Sequence, residues 1–322
     1  MRIKKKFLQL TKTTIPYGME HLLERYLPNG CKRDKFGNYF ISIGEGYSTM
    51  FTCHLDTASR EFLNIKHTFK DNYIKSDGTT ILGADDKAGM TVLLYMINGK
   101  VPGLYYFFKG EEVGCIGSRA LSADFREKMI TKVVSFDRRG THSIITEQWM
   151  GRCCSNKFAL ALSEEFSKAD ESLKLVPDDT GVLTDSAQFI DIVNECTNIS
   201  VGYYGEHTTN EKQDIEYLVK LCKACVKVDW ESLPIIRNTP EDFEDLDLDL
   251  DFDLDFDLDL EEFPDDKIES EKILIHNFIK NSCDYNPLEI EWDGQDCYCD
   301  LGEGQNIYIG SRNELKIYID EL

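Results

Sequence analysis

His54-Leu55-Asp56 places an imidazole and a carboxylate two residues apart, just beyond the apolar run Met50–Cys53. Alternate residues of an extended chain share a side, so His54 and Asp56 face the same way. That suits a metal-ligating imidazole and an acid that fixes its orientation. A hydrogen-bonded histidine at a strand end would leave the same trace. Gly83-Ala84-Asp85-Asp86-Lys87-Ala88-Gly89 leads into a helical pattern. Its adjacent carboxylates either cap a helix and complement its dipole, or Asp85 bridges two metal ions while Asp86 shapes the turn. Gly110-Glu111-Glu112-Val113-Gly114 follows the apolar run Leu104–Phe108. Two acids at the mouth of such a strand repel each other, and a cation on one relieves this, leaving the other free to transfer protons. Asp137 ends the run Lys132–Phe136 in the same manner, although strand-to-turn aspartates are common. His207 lies in Tyr204-Gly205-Glu206-His207-Thr208-Thr209, between the last core strand and a helical segment. His67, His142 and His276 lie in polar, surface-like stretches.

The combination says more than its members. Two histidines and several carboxylates, each expected at the end of a different strand, suit a borderline divalent ion such as zinc. Two such ions about 3.5–4 Å apart sharing one carboxylate form a hydrolytic site. The order His-x-Asp, Gly-Ala-Asp-Asp-Lys-x-Gly, Glu-Glu-x-Gly, Asp, His resembles the co-catalytic zinc exopeptidases, among them leucyl aminopeptidase, peptidase T, glutamyl aminopeptidase and acetylornithine deacetylase relatives. The resemblance covers about residues 36 to 230. It implies a centrally parallel α/β sheet and a di-zinc hydrolase, with cobalt or manganese as alternative ions. Asp85 would bridge the ions, with His54 and Asp137 on one and Glu112 and His207 on the other. Glu111 would be the general base, Asp56 the partner of His54, and the Asp85–Asp86 peptide would be cis. An aspartate at position 137 goes with aminopeptidases in the family, so the expected reaction is release of an N-terminal residue from short peptides. The alternatives are an N-acyl amino acid deacylase or amidase, and a non-catalytic scaffold. Asp85 lies 31 positions after His54, and His207 lies 70 after Asp137. Neither gap holds an inserted lid domain. Thr184-Asp185-Ser186 reads either as a substrate-side motif or as a helix cap for Gln188 and Phe189.

The elements that must position these residues follow from the periodicity. Strand patterns at Tyr39–Ile43, Met50–Cys53, Leu104–Phe108, Lys132–Phe136 and Cys196–Val201 alternate with helical ones at Lys87–Ile97, Ser118–Lys128, Cys154–Lys168 and Glu211–Val228. Such alternation predicts an α/β three-layer sandwich, with ligands bound beyond the carboxyl ends of its strands.

Beyond this body, residues 241 to 262 carry thirteen acidic residues and no basic one, leaving −9 of the total charge of −22 elsewhere. The strict alternation of Asp with Leu or Phe reads as an acidic low-complexity linker. Its other reading is a strand that forms on a protein partner, with Leu246, Leu248, Leu250 and Phe252 as its apolar side. The expected division is a catalytic domain over 1–235, a linker over 236–264 and a small α+β unit over 265–322. That unit should hold a helix at Ser270–Lys280 and strands in LEIEW, CYCDL, NIYIG and LKIYI. The acidic balance argues against nucleic acid, and no apolar run is long enough to span a bilayer. Eleven scattered cysteines without a secretion signal fit reduced thiols in the cytoplasm. Cys222 and Cys225 read as buried helix thiols, and Cys297 and Cys299 are equally structural.

Overall fold

The computed structural model describes residues 1–239 and three strands further on, 289–293, 296–300 and 306–311. In chain order the strands of the first part are β1 (Lys32–Arg33), β2 (Tyr39–Ile43), β3 (Thr49–His54), β4 (His67–Lys70), β5 (Tyr73–Ser76), β6 (Gly103–Phe108), β7 (Lys132–Arg138), β8 (Ser143–Ile145), β9 (Glu147–Gln148), β10 (Gly151–Arg152), β11 (Val176–Asp178), β12 (Glu195–Ser200), β13 (Tyr203–Tyr204) and β14 (Lys212–Asp214). The helices are α1 (Ile3–Leu10), α2 (Ala84–Asn98), α3 (Ile116–Ser122), α4 (Asn156–Ala169) and α5 (Ile215–Cys225).

The main sheet has the order β1-β2-β6-β3-β7-β12-β8-β11. Its centre, β6-β3-β7-β12, is parallel, while β2 and β8 run antiparallel to their inner neighbours. Every residue of β3 and β6 is buried, because helices cover both faces and leave no side for water. Period-two geometry divides their side chains between two cores. Phe51, Tyr105, Phe107, Val134 and Phe136 point into one, shared with α1, α2, α4 and α5. Met50, Leu104, Tyr106, Phe108 and Val133 point into the other, with Leu121 of α3 and Phe189. The architecture is therefore the mixed, centrally parallel three-layer sandwich expected.

Helix α2 is buried almost all round, as befits an element held between the sheet and two other helices. Asp85 and Asp86 have non-helical backbone angles, so the regular helix starts at Lys87. Gly89 lets it lie this close. A Cβ there would stand 2.0 Å from the Phe136 carbonyl oxygen of β7 and 2.6 Å from both Asp86 carboxylate oxygens.

The structure corrects three local expectations. Helix α3 ends at Ser122, after which the chain turns and buries Phe125 in the second core. The segment expected to be helical from Glu211 begins as β14, and α5 starts only at Ile215, where Asp214 accepts bonds from the Glu216 and Tyr217 amides. A second sheet, β13-β14-β5-β4, was not foreseen. Its pairings, such as Gln213 with Ile74, join segments far apart in sequence, and no local pattern encodes them.

The chain divides into two compact units, Met1–Leu248 and Asp249–Leu322. In the second, Glu289–Asp293, Asp296–Asp300 and Asn306–Ser311 form an antiparallel sheet in sequence order. The acidic tract, the helix expected at Ser270–Lys280 and the LKIYI strand lie outside the described residues. Among those described, no helix is long and apolar enough to cross a membrane, and eight cysteines are free, seven of them buried.

Candidate active site

All seven residues singled out by sequence meet in one place, delivered by two sheets. Parallel strands of the main sheet carry His54, the Glu111–Glu112 pair and Asp137 at or just beyond their carboxyl ends. Asp85 and His207 come differently. Asp85 follows β5, His207 follows β13, and both strands belong to the second sheet. The expectation that each residue ends a core strand is corrected accordingly.

Asp85 is central to the cluster. Its Oδ1 lies 2.9 Å from His54 Nε2 and its Oδ2 lies 3.1 Å from His207 Nε2. His54 Nε2 is also 3.5 Å from Asp137 Oδ1, and His207 Nε2 is 3.0 Å from Glu112 Oε2. Glu111 Oε2 stands 4.0 Å from His54 Nε2. The Asp85–Asp86 peptide is cis. Asp86 also brings a carboxylate oxygen near a ring nitrogen of His54 and an oxygen of Asp137. Its two oxygens, however, accept from the Gly89 and His54 amides at 2.9 and 3.3 Å, so it shapes the turn.

Around these groups stands a layer that holds them. Asp56 is fully buried, with Oδ1 3.5 Å from His54 Nδ1. Its two oxygens accept from the Glu111 and Glu112 amides, both at 3.2 Å. Asp56 thus orients the imidazole and the loop after β6 together. The buried ammonium of Lys87 donates to the Leu55 and Asp56 carbonyls. Asp137 receives hydrogen bonds from Thr184 Oγ1 at 2.6 Å and the Tyr203 hydroxyl at 3.1 Å. The Thr184 side chain makes no helix-cap bond, so the cap reading of Thr184-Asp185-Ser186 is withdrawn. Asp185 behind it is buried, and burial pushes its carboxyl up to about 7.

Glu211 escaped the sequence reading. It is 1% exposed, and its carboxylate accepts from the amides of Leu82, Gly83 and Asp85 at 2.7, 2.7 and 3.0 Å. It ties the loop bearing Asp85 to the segment just after His207. Only its position four residues beyond His207 could have drawn attention to it.

The electrostatics suit a cation. Burial alone would lower the His54 pKa, but the Asp137 carboxylate, with hydrogen bonds to Asp56 and Asp85, raises it well above the usual value. The hydrogen bonds with Asp85 and Glu112 push His207 up to about 11. Burial raises Glu111 well above its ordinary range, reinforced by Asp137 and Asp185 against the opposing pull of His54. Buried carboxylates at this density need positive charge among them. Glu112 Oε1 is buried with no hydrogen-bond partner, which points to a ligand the protein itself does not supply. Donor atoms of His54, Asp85 and Glu112 lie within 4.8 Å of one another, so the residues present fit divalent cations. A cavity of about 220 Å³ opens beside them, with Asp85, Glu111, Asp137 and His207 in its lining.

Comparison with solved structures settles the fold. A tripeptidase from Staphylococcus aureus matches with a TM-score of 0.60 at 17% identity, over 71% of this chain and 97% of its own. An aminopeptidase PepT from Bacillus cereus gives 0.56 at 19% identity, over 70% and 97%. The fold is the zinc-exopeptidase fold. The TET1 peptidase of Pyrococcus horikoshii shares it, with a TM-score of 0.55 at 15% identity over 70% of this chain and 99% of that one. No protein-family model matches the chain. An uncharacterised Bacillus subtilis protein, YqjE, is 39% identical over 80 residues, spanning 22% of this chain and 21% of that protein. Within the zinc-exopeptidase fold the cluster sits where an open α/β sheet binds ligands, beyond the carboxyl ends of its parallel strands.

Proposed function

We propose that this chain is a metal-dependent exopeptidase of the aminopeptidase type, releasing the N-terminal residue of short peptides. The observation that carries the reading is the division of the Asp85 carboxylate, one oxygen towards His54 and the other towards His207. A carboxylate so shared is suited to bridge two cations. His54 and Asp137 would complete one set of ligands, and Glu112 and His207 the other. Imidazole nitrogen with carboxylate oxygen matches zinc. When bound, the two ions would polarise the scissile carbonyl and acidify a water between them.

The chain's own residues do the rest. Glu111 lines the cavity beside this cluster, and burial raises its carboxyl above the ordinary glutamate range, the direction that suits a group taking and returning a proton. Its carboxylate takes a proton from the attacking water and returns it to the leaving nitrogen. Asp56 holds the His54 ring and the Glu111 amide at once, so acceptor and ligand keep a fixed separation. Thr184 and Tyr203 hold the Asp137 carboxylate. The peptidases that share the fold lend support to this chemistry.

Metal analysis of the purified protein, run beside hydrolysis of a panel of aminoacyl and N-acyl substrates, tests the reading. About two zinc ions per chain and cleavage of free-amino substrates are expected. Less than one ion per chain at neutral pH would favour a scaffold, and preference for N-acyl substrates a deacylase.

A further inference from the structure

Asp137 and Arg138 are the last two residues of β7, and both line the cavity beside the cluster. Gly181, Val182 and Leu183, also in its lining, sit on the loop that follows β11. That loop is fastened at both ends to the two neighbours on β7. At one end Arg138 Nη2 donates to the carbonyl and the hydroxyl oxygen of Thr180, each at 2.9 Å. At the other, Thr184 Oγ1 donates to Asp137 Oδ2 at 2.6 Å.

The Arg138 end is held from several sides. Its side chain is 14% exposed, with Nη2 3.9 Å from Asp178 Oδ2. The Thr180 hydroxyl that accepts from Arg138 donates in turn to Asp178 Oδ1 at 2.6 Å. The same Asp178 oxygen accepts from the Thr180 amide at 2.8 Å, and Oδ2 accepts from the Ser143 hydroxyl of β8. Hydrogen bonds from a guanidinium are among the stronger ones, and more so when partly buried. Next along the loop, Gly181 lies flat on the sheet. A Cβ there would collide with the Glu147 carbonyl oxygen and the Ile145 side chain. Only Gly181, Val182 and Leu183 separate the two fastenings, so fixing Thr180 restricts where Thr184 can go. We propose that Arg138 is a positioning residue that acts on Asp137 through this loop. By pinning Thr180 it keeps the Thr184 hydroxyl on the Asp137 carboxylate, and it keeps Val182 in the cavity wall. This rests on the reading of Asp137 as a metal ligand and names the group that steadies its support.

The experiment measures zinc affinity of the full chain by competition with a chelator, in wild type, R138M, T184V and the double variant. Hydrolysis of aminoacyl p-nitroanilides is followed alongside. T184V should weaken zinc binding by about 10-fold, as for other groups that orient a ligand, and R138M by about 3- to 10-fold. The double variant should bind no more weakly than T184V alone, because Arg138 then has no hydroxyl to place. R138K, which keeps the charge and a donor, should recover part of the loss. In R138M, KM should rise several-fold while kcat stays within a few-fold, since Glu111 is untouched. An arginine with a merely structural role would add its loss in full to that of T184V. That additivity, or unchanged zinc affinity in R138M, overturns the assignment. Should R138M not fold, T180V removes the accepting hydroxyl from the other side of the contact and must show the same non-additivity with T184V. A wild type that binds zinc but cleaves no aminoacyl substrate ends the aminopeptidase reading alone, and the affinity cycle still decides on Arg138. A wild type that binds no zinc overturns both.

Discussion

Buried carboxylates are expensive, and this site concentrates them. Asp56, Asp86, Asp185 and Glu211 are at most 1% exposed, and Asp85 is 7% exposed. Their remedies fall into two kinds. Asp56, Asp86 and Glu211 are met by backbone amides, whereas Asp85, Glu112 and Asp137 face imidazoles and one another. That division separates the residues that hold from those that would bind. Glu111 belongs to neither group, since its nearest cationic neighbour is His54 at 4.0 Å. Glu111→Gln should therefore lower kcat by about 10²–10⁴-fold, the usual contribution of a positioned base, while zinc content stays near wild type. Retained turnover would remove Glu111 as the proton acceptor. Glu211→Gln tests the other group. A glutamine keeps one carbonyl oxygen for these three amides and must turn its NH₂, which cannot accept, towards the rest, so the Asp85 loop should loosen. Zinc affinity measured by competition with a chelator should fall by about 10–100-fold, as for other residues that orient ligands. Unaltered affinity would make Glu211 a bystander.

At the scale of elements, the site depends on how closely α2 approaches the sheet. Gly89 makes that approach possible, and two effects compete when it is replaced. Helix propensity favours alanine by about 1 kcal/mol. The added Cβ would meet the Phe136 carbonyl at 2.0 Å, and a backbone group cannot swing aside. Overpacking of this kind costs about 1–3 kcal/mol or more, so Gly89→Ala should destabilise despite the better propensity. A lower urea midpoint with an unchanged slope is the expected outcome. A raised midpoint would mean that α2 can slide without cost. Because Asp86 and Phe136 flank the same spot, zinc affinity should fall as well.

For the whole molecule, the proposed ligands come from two sheets and meet across a shared acidic cluster, so ion binding should stabilise the entire first unit. Free ion at a thousand times its dissociation constant contributes about 4 kcal/mol. In a unit of this size that is a rise in Tm on the order of 10 °C. Calorimetry with and without chelator measures it, and the difference should vanish in the double variant His54→Ala, His207→Ala. Equal melting with and without metal would sink the two-cation reading.

The sequence by itself determined the layers and most of the site. Runs such as LYYFF, apolar at successive positions and bounded by polar turns, read as strands buried on both faces, as at the centre of a parallel sheet. Polar residues just after them then stand out as chemistry rather than packing. What the tertiary structure decided was the second sheet, the route of Asp85 and His207 to the site, and the role of Glu211. Strand pairing over long separations leaves no local period. A glutamate that accepts three amides from a distant loop looks, in sequence, like any glutamate before a helix.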